Sequence, residues 1–111
     1  MNKEDLVSVI MPTYNAGKYL ADSMNSILNQ TYKNLELLIT DDASTDPTTL
    51  QLLKEYASKD ERVKILYLKE NHGAGYARNK SIERAKGRYI AFCDSDDRWT
   101  TDKLEKQIAF M

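Results

Sequence analysis

At 111 residues, 30% charged and 41% hydrophobic, with a formal net charge of −1, the chain has the size and make-up of one soluble globular domain. The charge balance excludes a strongly basic nucleic-acid binder, and no stretch approaches the roughly 20 apolar residues of a membrane-spanning helix. Cys93 is the one cysteine, which rules out an internal disulfide and fits a reducing compartment.

In chain order, the opening segment "MNKEDLVSVIMP" has an apolar run too short for the core of a signal peptide. Its "LVSVIM" (6–11) reads as a strand. Leu20, Met24, Ile27 and Leu28 then recur at i, i+4, i+7 and i+8, the spacing of an amphipathic helix. A second strand, "LELLIT" (35–40), leads to another helical pattern built on Leu50, Leu53, Tyr56 and Ala57, with Asp46 before Pro47 as its N-cap. "VKILYL" (63–68) is the third strand. Ala74, Ala77, Ile82 and Ala85 give the next helix a small-residue face, with Gly87 as its C-cap and Lys80, Arg84, Lys86 and Arg88 on the wet side. "YIAFC" (89–93) is the fourth strand, with Cys93 in the core. The tail carries Leu104 and Ile108 on one face of a last helix capped by Thr100 or Thr101, with Trp99 as its anchor.

The first, second and fourth runs are apolar nearly throughout, as strands covered on both faces are. The order β-α-β-α-β-α-β-(α) therefore predicts an α/β fold with a mostly parallel sheet and right-handed crossovers. We find no repeat, low-complexity tract or linker, so residues 1–111 read as one domain, expected to be the first part of a longer protein.

In such a sheet the segments leaving the strands' carboxyl ends gather along one edge, where open α/β folds bind ligands. Here that edge collects Asp41, Asp42, Asp46, Asp94, Asp96 and Asp97. Two unit charges about 4 Å apart interact by about 4 kcal/mol at a near-surface effective dielectric, so the crowding needs an offset. One carboxylate of "DSDD" (94–97) can cap a helix. A divalent cation, Mg²⁺ or Mn²⁺, is the simplest partner for the others, since both take hard oxygen ligands; a solvated acidic loop is the bland alternative. A calcium EF-hand fails because Trp99 stands where the loop needs glycine, and a dinucleotide fingerprint fails because no G-x-G-x-x-G follows the first strand.

In "NHGAGYARN" (71–79), Gly73 and Gly75 allow close backbone approach at a helix start, which makes a natural anion seat. Arg78 near that start opposes the helix dipole, so either a bound phosphate or one of the aspartates pairs with it. His72 reads as a solvated loop side chain.

The segments "VSVIMPTYNAGKYLADSMNSILNQTYKNLELLITDDASTD" and "NHGAGYARNKSIERAKGRYIAFCDSDD" together resemble the start of family 2 glycosyltransferases of the GT-A (Rossmann-like) fold, inverting enzymes that use nucleotide-diphosphate sugars. The likeness runs from Val7 to about Trp99 and joins several motifs in order. It implies that Pro12, Thr13 and Tyr14 line the nucleoside pocket and that Asp41 binds the pyrimidine ring, usually uracil, with Asp42 bracing the loop. Gly75 and Arg78 match a "G-x-ARN" segment beside the nucleotide. Asp94 and Asp96 match the D-x-D signature that contacts ribose and holds Mn²⁺ or Mg²⁺ on the diphosphate, with Asp97 sharing that work. Ala43 stands where many members have glycine.

What the resemblance implies, then, is a nucleotide-diphospho-sugar-binding domain of a longer enzyme, with a saccharide or lipid-linked acceptor and a place in surface polysaccharide synthesis; the expected location is cytoplasmic, or the cytoplasmic face of the membrane for the full-length protein. The general base is expected beyond Met111, so the chain alone is expected to bind the donor without transferring it. Sugar, acceptor and oligomeric state are not legible. A non-catalytic nucleotide or metal-binding module is the alternative. A phosphoacceptor signalling domain is disfavoured, because its acidic pair follows the first strand, where "MPTYN" stands here.

Overall fold

The computed structural model describes residues 5–109. The four apolar runs form strands β1 (Val7–Thr13), β2 (Leu35–Asp41), β3 (Val63–Tyr67) and β4 (Tyr89–Phe92), all parallel, in the spatial order β3-β2-β1-β4. Helices α1 (Tyr19–Leu28), α2 (Pro47–Lys59), α3 (Ala74–Arg84) and α4 (Lys103–Ile108) alternate with them.

Strand order explains where the helices lie. The chain steps from β1 to β2 to β3 in one direction and then returns past β1 to β4, so right-handed crossovers put α1 and α2 on one face and α3 on the other. Val9 and Met11 of β1, Leu37 and Ile39 of β2, and Leu20, Met24 and Ile27 of α1 form the larger core, closed by Leu53, Leu104 and Ile108. On the opposite face Ala77 and Ser81 of α3 are fully buried, and the Ser81 hydroxyl pairs with Thr40 at 2.7 Å.

β1 and β2 are buried along their whole length, as their continuous apolar sequence predicts. β4 is not: it pairs with β1 alone among the described strands, and Ile90 and Phe92 are exposed. Among the described residues it is therefore an edge strand covered on one face. The α3 face also differs from the alanine pattern, for Ala74 is exposed and the buried positions are Ala77 and Ser81. Leu50 of α2 likewise stays partly exposed, whereas Leu53 is buried.

Three terminal features depart from expectation. Helix α3 ends at Ala85 in extended backbone, so Gly87 caps nothing. Gly87 instead passes against β1, where an added Cβ would lie 2.6 Å from the Ser8 nitrogen and 2.8 Å from the Leu6 carbonyl oxygen. Replacing it with alanine is expected to cost about 1–3 kcal/mol, read as a lower urea midpoint, because the clash is with backbone that cannot turn aside. Arg84 is not on the wet side: its guanidinium folds back to donate to the Ile39 carbonyl at 3.0 Å. Helix α4 takes Asp102 as N-cap residue, while the Thr100 and Thr101 carbonyls accept from Gln30 and Thr31. Asp46 does cap α2, accepting from the Thr49 amide at 2.9 Å.

Candidate donor-binding site

Between β1 and β4 the order of strands reverses, and in open α/β sheets the crevice at that reversal is where ligands bind. A cavity of about 550 Å³ opens there, lined by Pro12, Thr13 and Tyr14 after β1, by Asp42 after β2, and by Ala74, Ala77 and Arg78 of α3. Asp94, Ser95 and Asp96 after β4 close it, and Asn15, Ala16 and Tyr19 extend the wall toward α1. Its volume lies within the range typical of small-molecule sites.

The six crowded aspartates separate into two groups. Asp41 is buried and accepts from the Ser44 hydroxyl at 2.5 Å and the Ser44 amide at 3.1 Å. Ser44 Oγ in turn accepts from the Asn15 amide at 2.9 Å, and Asn15 Oδ1 accepts from the amides of Thr45 and Asp46, so the loops after β1 and β2 are tied together. Both Asn15 and Ala43 adopt positive φ, 47° and 62°, the latter at the position where glycine is common in the resembling family. Asp42 is buried and accepts from the His72 amide at 2.7 Å and the Gly73 amide at 2.8 Å. It therefore fills the anion seat at the start of α3 with a carboxylate of the chain itself. With Asp46 held by Thr49, whose hydroxyl and amide draw its pKa below the ordinary value, three of the six charges are satisfied internally.

Asp94, Asp96 and Asp97 are the other group. All three are exposed, and each offers a carboxylate oxygen within 4.8 Å of the others. Among the described residues the cation within ion-pair distance is Arg78, 3.7 Å from Asp94, so the dipole-opposing arginine pairs with an aspartate. The donor set is hard oxygen alone. His72 stacks on Tyr76 with ring centroids 4.2 Å apart, and the Cys93 thiol is pushed up to about 12 by burial first and then by Asp97 and Asp94. It is a neutral thiol at physiological pH. Three carboxylates without a soft or imidazole ligand fit Mg²⁺ or Mn²⁺, which prefer oxygen donors.

The sequence-predicted residues are thus gathered unequally. Pro12, Thr13, Tyr14, Asp42, Arg78, Asp94 and Asp96 share the cavity, with Asp97 beside it in the carboxylate cluster. Asp41 turns to Ser44, and Gly75 lies outside the lining, with open space where a Cβ would stand. Asn15, Tyr19 and Ser44 were missed; the Asn15-x-Gly17 step after a strand is the one local signal of a special turn. Trp99 packs against the core, as an anchor for α4 should.

A parallel sheet with a carboxylate-bearing crevice at its switch point is a Rossmann-like α/β architecture. The chain belongs to glycosyl transferase family 2, whose model matches residues 8–111. It is 54% identical over 110 residues to the putative teichuronic acid biosynthesis glycosyltransferase TuaG of Bacillus subtilis, spanning 99% of this chain and 43% of that protein. It is 48% identical over 106 residues to WfgD of Escherichia coli, a UDP-Glc:alpha-D-GlcNAc-diphosphoundecaprenol beta-1,3-glucosyltransferase, spanning 96% of this chain and 41% of that one. The chain therefore spans less than half the length of these relatives.

Solved structures show the same fold. S. aureus TarS 1-349 in complex with UDP-GlcNAc superposes with a TM-score of 0.86 at 37% identity, over 94% of this chain and 30% of TarS 1-349. The mannosyltransferase PcManGT from Pyrobaculum calidifontis, in complex with GDP-Man and Mn²⁺, gives 0.83 at 28% identity, over 92% of this chain and 31% of that one.

Proposed function

We propose that residues 1–111 form the donor-binding domain of a longer inverting glycosyltransferase, in which the cavity takes a UDP-linked sugar together with Mn²⁺ or Mg²⁺. One observation carries the reading. Of six aspartates at the carboxyl edge, Asp41, Asp42 and Asp46 are satisfied within the chain, while Asp94, Asp96 and Asp97 converge at the cavity with a single ion pair among the described residues, Arg78 to Asp94 at 3.7 Å.

The roles follow from placement. Tyr14, 52% exposed, offers a ring face to a nucleobase, and Pro12 and Thr13 form the cavity floor. Asp42 is the acidic residue of the 41–42 pair that reaches the cavity, so base recognition moves to it, with Asp41 bracing the loop through Ser44. Asp94, Asp96 and Asp97 would hold the cation; when bound, it supplies positive charge where the departing diphosphate becomes more negative. Arg78 adds a fixed positive charge on the same wall. Deprotonating the acceptor hydroxyl requires a base on the opposite side of the sugar, a task we assign to a part of the enzyme outside these residues.

UDP is favoured over GDP because the neighbour solved with UDP-GlcNAc is the more similar in sequence, 37% against 28% identity. The relatives' names support a place in surface polysaccharide synthesis and a lipid-linked acceptor, hence work at the cytoplasmic membrane face. No helix among the described residues is long and apolar enough to cross a membrane. Calorimetric titration of the chain with UDP, with and without Mn²⁺, and with GDP beside it, tests the reading. Heat that requires metal and prefers UDP is expected; a folded chain that binds neither nucleotide in Mn²⁺ contradicts it.

A further inference from the structure

Helix α1 presents more than an apolar face. Ser23 and Ser26 form a polar stripe beside it, continued by Gln30 just past the helix end, and Ser23 and Gln30 are 1% and 0% exposed. All three reach across to the segment that follows β4. The Ser23 hydroxyl lies 2.7 Å from the Ser95 carbonyl oxygen, the Trp99 amide donates to Ser26 Oγ at 3.1 Å, and Gln30 donates to the Thr100 carbonyl while accepting from the Leu104 amide at 3.0 Å. A hydroxyl has one proton to donate. Ser23 Oγ also lies 3.2 Å from the Tyr19 carbonyl, the usual back-bond of a helical serine, but the contact to Ser95 is the shorter and takes the proton.

Ser95 stands between Asp94 and Asp96, and its carbonyl belongs to the peptide plane whose nitrogen is that of Asp96. Fixing that carbonyl fixes the backbone from which both carboxylates project. The Asp97 amide closes the turn by donating to the Asp94 carbonyl at 3.0 Å, so the loop is braced from within and from behind. The brace opposes a real force, since three exposed like charges whose oxygens come within 4.8 Å of one another tend to spread the turn. Serine in a buried helical position is a poorer helix former than alanine, which makes its hydrogen bond the reason for its presence.

We propose that Ser23 is a positioning residue for the cation site, acting through the Ser95 carbonyl to hold Asp94, Asp96 and Asp97 together before the metal arrives. The inference rests on the donor-site reading above. Its physical content is preorganisation: the cost of gathering the carboxylates is met by α1 during folding and is not charged against metal binding.

The test is Mn²⁺ affinity at saturating UDP, followed by the electron-spin resonance of free Mn²⁺, in the wild-type chain and in Ser23→Ala. Outer-shell partners of metal ligands change affinity by roughly tenfold or more, and a loss of about that size is expected. Ser81→Ala removes a buried hydroxyl on α3, away from the acidic loop, and serves as the control for general loosening. Ser23→Cys keeps a side-chain donor, though a weaker and slightly larger one, and its Mn²⁺ affinity should fall between those of wild type and Ser23→Ala. Equal Mn²⁺ affinity in wild type and both Ser23 variants, or an equal loss in Ser81→Ala, overturns the positioning role. A wild-type chain that takes up no Mn²⁺ defeats the donor-site reading itself and this inference with it.

Discussion

Asp96→Asn is expected to lower the Mn²⁺-dependent affinity for UDP by about 100-fold while leaving the melting temperature unchanged. The size of the effect follows from charge. At a near-surface effective dielectric, two unit charges about 4 Å apart interact by about 4 kcal/mol, part of which is returned by hydration of the exposed site; about 2.7 kcal/mol remains to be lost, which is 100-fold. The stability half of the prediction follows from surroundings. Asp96 is exposed and shares its cluster with two like charges, so the fold loses no stabilising contact when the charge goes. Calorimetry with and without Mn²⁺, beside thermal melting, checks both halves. A variant that binds UDP as tightly as wild type in Mn²⁺ would place the cation elsewhere.

Glu36→Ala should do the reverse, lowering stability by about 3 kcal/mol while leaving the cavity's chemistry intact. Glu36 is 3% exposed at the amino end of β2, at the opposite edge of the sheet from the site. Its carboxylate accepts from the Ser8 hydroxyl at 2.6 Å, the Lys86 amide at 2.8 Å and Lys64 Nζ at 3.1 Å, and Ser8 Oγ accepts in turn from the Gly87 amide. Removing the acceptor strands a buried hydroxyl and a backbone amide, each costing about 1–3 kcal/mol, whereas Lys64, 47% exposed, returns to water. In a domain of this size the melting temperature should fall by roughly 10–20 °C.

The same group gives stability a pH dependence of known sign. Burial pushes the Glu36 carboxyl upward, but the Ser8, Lys86 and Lys64 contacts outweigh it and hold the pKa below its ordinary 4.5. A carboxyl depressed in the folded state contributes stability that is present above the unfolded value and is lost as the pH falls through the folded one. Wild type should therefore lose melting temperature on acidification below that range more steeply than Glu36→Gln, whose side chain does not titrate. Parallel pH profiles for the two would contradict the assignment.

The parallel sheet was readable because β1 and β2 carry unbroken apolar runs, and because Asp46-Pro47 announces a helix start by local chemistry. Strand β4 misled, since hydrophobicity of a run reports burial only when something covers both faces, and Ile90 and Phe92 lie on an edge. Gly87 and Arg84 were misplaced for a related reason. A glycine after a helix looks like a cap until the neighbouring strand is seen 2.6 Å from its missing Cβ, and an arginine looks wet until a carbonyl of β2 is found within its reach.

For the site, motif order picked out loops that the fold brings to one cavity, but not which side chains in them face it. Which member of the Asp41-Asp42 pair faces the cavity depends on side-chain direction, set here by Ser44 on one side and by the start of α3 on the other. The anion seat at Gly73 was correctly placed as an electrostatic feature; that Asp42 fills it is a long-range contact no local pattern encodes. The polar stripe of α1 was hidden by the stronger apolar period beside it.

The central claim is that Asp94, Asp96 and Asp97 bring a divalent cation to a nucleotide in the switch-point cavity. Paramagnetic broadening by trace Mn²⁺ in the backbone amide spectrum, recorded with saturating UDP, tests it most directly. Amides of Asp94–Asp97, Thr13–Asn15 and Ala74–Arg78 should vanish first while those of Glu36, Lys64 and Lys86 persist. Broadening centred on Glu36 and Lys64, or none that depends on UDP, would contradict it.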